Sequence, residues 1–173
     1  MAESLCIAPA NAKRFIDGYQ SLLESIHLHH GLPKQDRVVT RLAAARDFAL
    51  TQPGGLAAEL ARSGLPLEAA VASAISGLRL ERWVHVRATP RYSLVLDAQC
   101  SQGYAVKSLT TPLPELTGES SFAARFGLTA FEGQWLSDGL LSDLVVLGAG
   151  LRRELSDRLR ELKALGQFSQ KPQ

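Results

Sequence analysis

The chain has 173 residues, 46% of them hydrophobic and 21% charged, which is the composition of an ordinary globular domain and excludes a disordered or fibrous protein. Its formal net charge of +2 is too small to indicate a nucleic-acid or membrane partner. Its two cysteines, Cys6 and Cys100, form neither a disulfide framework nor a structural zinc site. Without a signal-peptide core or an apolar run of membrane-spanning length, we expect a cytoplasmic protein with no membrane partner.

Helical spacing of apolar residues dominates positions 11–80. The pattern predicts four helices, and Gly or Pro residues stand between them. The predicted helices are Asn11–Leu28, Lys34–Leu50, Leu56–Ala61 and Leu67–Leu78.

Three histidines, His27, His29 and His30, crowd the end of the first predicted helix. Positions two apart lie on different faces of a helix, and no carboxylate stands beside them to complete a set of metal ligands. A protonated histidine at a helix C-terminus is also favoured by the helix dipole. We therefore predict neither a metal site nor a cofactor.

Segments rich in β-branched and aromatic residues follow, and they predict a meander of antiparallel strands. If residues 88–90 form the first loop, Arg87 lies opposite Arg91 and the apolar side chains share one face. The same pattern places Asp97 opposite Gly103 across the second loop. The predicted strands are Trp83–Arg87, Tyr92–Leu96 and Tyr104–Leu109.

The opposite face of this meander carries the candidate binding residues. In the predicted register, His85, Arg87, Arg91 and Lys107 lie close together, and we name these four residues the predicted cationic face. Like charges directly opposite one another destabilise a strand pair, so Arg87 facing Arg91 indicates solvent, a nearby acid or a bound anion. The alternative is a solvated strand face without a ligand.

The remaining third of the chain predicts two further strands and a helix. Residues 120–126 are expected to form a short helix or turn. The strands FEGQWL and LLSDLVVLG follow, and Asp138-Gly139 between them is a strong hairpin signal. Leu151–Leu165 then places a leucine stripe on one side of a final helix.

One stretch resembles a known DNA-binding module. The run LAAELARSGLPLEAAVASAISGLRLERWVHVR, with the strand after it, has the order helix, turn, helix, two-stranded ribbon, and residues 56–97 are thus similar to a winged-helix module. The resemblance implies a DNA-binding regulator whose recognition helix is Leu67–Leu78. That helix, however, carries Glu68 and has no basic residue before Arg79, whereas a recognition helix normally brings cations and amides to DNA.

Together these patterns predict an α+β fold with N-terminal helices, a curved antiparallel sheet or small, partly open barrel of about five strands, and a C-terminal helix. Residues 1–10 and 166–173 are expected to be tails. Residues 11–80 form the helical part, and residues 81–165 form the sheet with the final helix, all in one compact unit.

The expected function is an intracellular, non-catalytic binding or regulatory module. Its predicted cationic face would hold a small anionic ligand or a protein partner. The winged-helix DNA binder is the alternative. A small enzyme ranks third, because the sequence contains no nucleophile elbow and no phosphate loop.

Overall fold

The four predicted N-terminal helices all form, and a curled sheet and a C-terminal helix follow them, so the predicted α+β class is confirmed. The computed structural model describes residues 4–173, which form six helices and seven strands. No helix in this part of the chain is both long and apolar enough to span a membrane. In chain order the elements are α1 (Pro9–His29), α2 (Val38–Thr51), α3 (Gly55–Ser63), α4 (Ala69–Ser76), β1 (Arg79–Ala88), β2 (Ser93–Asp97), β3 (Gly103–Lys107), α5 (Leu113–Thr117), β4 (Phe122–Phe131), β5 (Gln134–Ser137), β6 (Ser142–Val146), α6 (Ala149–Ala164) and β7 (Phe168–Ser169).

Helix α1 is the centre of the helical part, because its apolar stripe is completely buried. Phe15 contacts Tyr19 of the same helix at 5.3 Å between ring centroids and Phe131 of β4 at 5.5 Å, so α1 packs on the sheet as well as on its neighbours. Helices α2, α3 and α4 cover the remaining sides of α1 and share one apolar core with it.

The sheet curls into a partly closed ring. Its strands follow the order β1-β2-β3-β5-β4, and β4 pairs again with β1. All these neighbours are antiparallel except β3 and β5, which run parallel, so the sheet is mixed. The ring encloses a second apolar core around Trp83, Phe122 and Phe126, and β6 extends the sheet from β4.

Two predictions for the second half of the sheet are wrong. Residues 120–126, expected to form a helix or turn, include the start of β4, the strand that closes the ring. The hairpin is not at Asp138-Gly139. It lies between β4 and β5, where Glu132 and Gly133 both have positive φ angles, 48° and 70°, in a two-residue turn. Strands β5 and β6 do not pair with each other, since both lie along β4.

The segments predicted as tails lie against β3. Ser108, directly after β3, donates its amide to the carbonyl of Leu5 at 2.9 Å and accepts from the amide of Ile7 at 3.0 Å. At the other end of the strand, Gly103 lies opposite Phe168 of β7. Residues 1–3 of the predicted N-terminal tail lie outside the described residues.

Helix α6 packs on the outer face of β1 and β2. The middle leucines of its predicted stripe, Leu155, Leu159 and Leu162, are buried in a third apolar core. The outer leucines of the stripe, Leu151 and Leu165, are exposed, so the stripe anchors the helix only through its centre.

The first prediction compares two leucines of the predicted stripe. Replacing Leu159, which is 1% exposed, by alanine should lower the free energy of unfolding by about 2–4 kcal/mol, because it empties a packed site. The same change at Leu165, which is 66% exposed, should cost less than about 0.5 kcal/mol. Urea unfolding of both variants measures the difference, and equal losses would show that α6 is not anchored as described.

Candidate functional site

The register of β1 and β2 differs from the prediction. Arg87 lies opposite Leu94, and not opposite Arg91, after an irregularity that follows His85. The loop between the strands is residues 89–92, in which the Thr89 amide donates to the carbonyl of residue 92 at 2.8 Å. The predicted facing pair of arginines is therefore wrong. A bulge and a longer turn shift the pairing in a way that local sequence does not reveal.

The second register is wrong by one residue. Leu96, and not Asp97, lies opposite Gly103. The cause is Asp97 itself, whose carboxylate accepts from the amides of Ser101 at 2.6 Å and Gln102 at 3.2 Å and so shapes the loop. A slip of one residue moves each side chain of the strand to the other face.

His85 faces the interior of the ring and is completely buried. Its Nδ1 lies 3.1 Å from the carbonyl of Ser120, and its Nε2 lies 3.1 Å from Oγ of Ser93. Because a carbonyl only accepts, Nδ1–H donates to it, and the neutral ring accepts at Nε2 from the serine hydroxyl. The imidazole of His85 also stacks on the aromatic ring of Phe122, with 4.8 Å between the centroids and 5° between the planes. Burial lowers the pKa of His85 to about 4.

Lys107 lies on the outer face of β3, since Val106 beside it points into the ring. Its ammonium group donates to the carbonyl of Ser4 and lies 4.7 Å from the ring centroid of Tyr92. Burial lowers the pKa of Lys107, and the nearby charge of Arg91 contributes to that fall.

The predicted cationic face is thus divided by the sheet. His85 lies inside the ring, and Lys107 lies outside beneath the N-terminal segment. Arg87 and Arg91 are exposed beside the loop that joins β1 and β2. The predicted convergence of all four residues is wrong, because the sheet separates His85 from Lys107.

The structure does not favour the winged-helix alternative. Helix α4 buries Val71, Ala74 and Ile75 in the helical core. The hairpin that would serve as a wing is part of the ring, because β1 pairs with β4 as well as with β2. The exposed side chains of α4 are uncharged and small, so they offer no cation to a phosphate group. These residues are Ala69, Ala70, Ser73 and Ser76.

The three histidines lie at the end of α1, and the rings of His29 and His30 contact each other edge to face, with 4.7 Å between centroids. His30 lies 2.9 Å from a carboxylate oxygen of Glu59 and packs on Phe48, while His27 is buried and His29 is exposed. Among residues 4–173, no group of three side chains suited to a metal ion occurs.

A cavity that the sequence analysis did not predict lies between the helical part and the ring. This seam pocket has a volume of about 240 Å³ and opens between α1, α2, α5 and the segment after β5. Its polar side chains are Gln20, Thr110 and Thr111, with Tyr19 and Asp138 at one wall. Its remaining walls are mainly apolar, and they include Ile16, Leu23, Val39, Leu42, Leu116 and Leu140.

Asp138, at the polar wall of the seam pocket, belongs to a buried ion pair with Arg46. Asp138 accepts at Oδ2 from Arg46 at 2.8 Å and from the Tyr19 hydroxyl at 3.2 Å. At Oδ1 it accepts from the amides of Gly127 at 2.9 Å and Leu140 at 3.2 Å. Burial raises the pKa of Asp138, and the guanidinium with these amides opposes the rise. All four partners donate to the carboxylate, so each of these hydrogen bonds favours its ionised form.

Burial also raises the pKa of Tyr19 well above its usual value, and the adjacent carboxylate of Asp138 adds to the rise. The tyrosine is therefore a neutral hydrogen-bond donor in this wall. One signal for the network was present in the sequence. Arg46 falls within the apolar stripe of α2, beside Ala45 and Ala49, and a cation in a buried stripe requires an acid nearby. Its neighbour Asp47 is one such acid, but the buried acid, Asp138, could not be predicted from local pattern.

Comparisons with known proteins add no functional information. No protein-family model, no curated protein and no solved structure matches the chain. A fold in itself does not determine a function, so the function has to be inferred from the geometry of the sites.

The depressed pKa of His85 gives the second prediction. In the unfolded chain this group titrates near its ordinary pKa of 6.5, whereas in the folded protein it titrates near 4. Between these values the unfolded chain binds a proton that the folded protein does not, so stability is lost as the pH falls. The loss from His85 alone should reach about 3 kcal/mol at pH 4.

Urea unfolding between pH 4 and 8 tests this dependence against two variants. His85→Gln should show a shallower fall in stability than the wild type, because the titrating ring is gone. His29→Gln, which removes a histidine from the surface, should keep the wild-type slope. Identical slopes for all three proteins would mean that His85 is not the buried neutral group described.

Proposed function

We propose that this protein is a non-catalytic binding module that holds a small, mainly apolar molecule in the seam pocket. The observation that supports the proposal is the cavity itself, which is open to solvent, has apolar walls and lies between two packed parts of the chain. Val39 and Leu116 stand at this cavity with 56% and 45% of their surface exposed. Exposed apolar side chains around a concave site are typical of ligand-binding grooves.

The size and chemistry of the pocket define the ligand class. Its volume of about 240 Å³ lies below the usual range of ligand pockets, about 300–1,000 Å³, so the ligand is small. The apolar walls favour a hydrocarbon or aromatic body. Gln20, Thr110 and Thr111 supply donors and acceptors for one or two polar groups of the ligand.

The state of Asp138 supports binding rather than catalysis. A general base needs an oxygen that faces the substrate, and both oxygens of this carboxylate already accept two hydrogen bonds each. Tyr19 is likewise engaged as a donor to Asp138. The polar wall therefore fixes the shape of the pocket and keeps the helices and the ring in register.

A second candidate function is the binding of an anion by three of the four residues of the predicted cationic face. The charge of Arg91 contributes to the lowered pKa of Lys107, so the two cations are close enough to repel each other. An anion bound outside the sheet near Arg87, Arg91 and Lys107 would relieve that repulsion. The anion could be free or part of a protein partner, and His85 takes no part in this version of the site.

The third prediction tests the seam pocket with a fluorescent, uncharged apolar probe, N-phenyl-naphthylamine. Val39→Trp should block the cavity and weaken binding of the probe at least tenfold, about 1.4 kcal/mol. Val38→Trp is the matched control, because Val38 is 48% exposed on the same helix but does not line the cavity. Equal affinities of the two variants, or no saturable binding to the wild type, would contradict the proposed function.

The fourth prediction tests the anion site by thermal unfolding. Millimolar phosphate should raise the melting temperature more than chloride at equal ionic strength, because a ligand of the folded state stabilises it. The double variant Arg87→Gln, Arg91→Gln should lose this difference while melting near the wild type in chloride. The same response of wild type and variant to phosphate would leave only general salting-out and would remove this candidate.

A further inference from the structure

At the start of β1, the guanidinium of Arg79 lies against three aromatic side chains. The guanidinium carbon of Arg79 lies 5.3 Å from the ring centroid of Trp83, 5.4 Å from that of Tyr104 and 5.8 Å from that of Trp135. All three distances fall within the range of about 6 Å over which a cation is attracted to a ring face. The site is separate from the seam pocket, and none of its four residues lines that cavity.

The two indoles both stand edge to face with Tyr104. Trp83 stands at 85° to Tyr104 with 5.5 Å between centroids, and Trp135 stands at 85° to the same tyrosine with 5.3 Å between centroids. The indole of Trp83 donates to the carbonyl of Phe126 at 2.9 Å, and that of Trp135 donates to Oγ of Ser169 at 2.8 Å. The two indoles are thus held by hydrogen bonds in which Arg79 takes no part.

Arg79, in contrast, is held weakly. Its side chain is 42% exposed, and its one ion pair is a contact of 4.0 Å with Glu81 on the same strand. Beyond that contact, its guanidinium forms no hydrogen bond to another residue within 4–173. A guanidinium has five N–H donors, and the ring faces around it offer no lone pair to accept them.

We propose that Trp83, Tyr104 and Trp135 form a binding cage for a trimethylammonium group, and that Arg79 is its built-in occupant. A quaternary ammonium has no N–H donor and loses no hydrogen bond when aromatic faces replace water around it. For that reason the ligand displaces Arg79, which regains solvent for its donors. The carboxylate of Glu81, released from Arg79, then attracts the bound cation from the edge of the cage.

The built-in occupant sets the affinity. A ligand binds only the fraction of molecules in which the cage is empty, so Arg79 weakens the apparent affinity by that fraction. Removing the arginine side chain should therefore strengthen binding, which is the opposite of what the loss of a ligand-contacting residue does. A gain in affinity on removal of the side chain therefore distinguishes an arginine that occupies the cage from one that contacts the ligand.

The fifth prediction uses the fluorescence of the protein itself, because both of its tryptophans belong to the cage. Choline should quench or shift this emission saturably and weakly in the wild type. In Arg79→Ala its apparent Kd should fall at least tenfold. Arg82→Ala is the matched control, since Arg82 is an exposed arginine on the same strand outside the cage, and this variant should bind choline like the wild type.

Three further arms make the test decisive. 3,3-Dimethyl-1-butanol, the neutral analogue of choline, should bind to Arg79→Ala at least tenfold more weakly than choline does, because it lacks the charge. Arg79→Gln, which keeps more of the side-chain volume, should show an intermediate gain and serves if the alanine variant does not fold. Acetylated trimethyllysine amide, compared with choline, shows whether a peptide or a small molecule is the better source of the group.

The proposal is overturned if neither the wild type nor an Arg79 variant responds to any trimethylammonium probe. It is also overturned if choline and its neutral analogue bind Arg79→Ala equally, because the site would then be merely apolar. A third contrary result is equal binding of trimethylated and unmodified lysine. None of these results bears on the seam pocket, which a different probe and different variants test.

Discussion

The fold depends on one buried ion pair. The carboxylate of Asp138, at the end of β5, receives Arg46 from α2, Tyr19 from α1 and the amide of Gly127 from β4. Removing one partner of such a pair costs about 3–5 kcal/mol, because the other charge stays buried. Gly127 is part of the same constraint, since a Cβ there would lie 2.5 Å from a carboxylate oxygen. The ion pair thus joins α2 to the end of β5 beside the seam pocket, whose wall includes Tyr19 and Asp138.

The elements that could be predicted are those in which the spacing of apolar residues fits only one kind of secondary structure. The stripe of α1 repeats only at helical spacing, and the centre of α6 does so as well. Strand β4 was missed because Phe122 and Phe126 are four residues apart, which suits one face of a helix and equally one face of a strand. What decides is pairing with β1, which lies far away in the sequence.

The sites were harder to predict than the fold, because each depends on a detail of register or on a distant partner. A four-residue turn after Ala88 and the loop around Asp97 were enough to place His85 inside the ring and Lys107 outside it. Arg46 pairs with its neighbour Asp47 and with the buried Asp138, and nothing local connects Arg46 to residue 138. An arginine in an apolar stripe predicts that a buried acid lies nearby, but it does not identify that acid.

The closure of the ring also has a consequence for how the protein folds. His85 pairs with Phe122, so the whole segment 86–121 must be gathered before β4 can meet β1. The entropy lost in closing that loop precedes most of the contacts that compensate for it. The β1–β2 and β2–β3 hairpins, by contrast, pair residues that are close in sequence, such as Ala88 with Ser93 and Leu96 with Gly103. We therefore expect these hairpins to form before β4 meets β1, with closure of the ring as a slow step of folding.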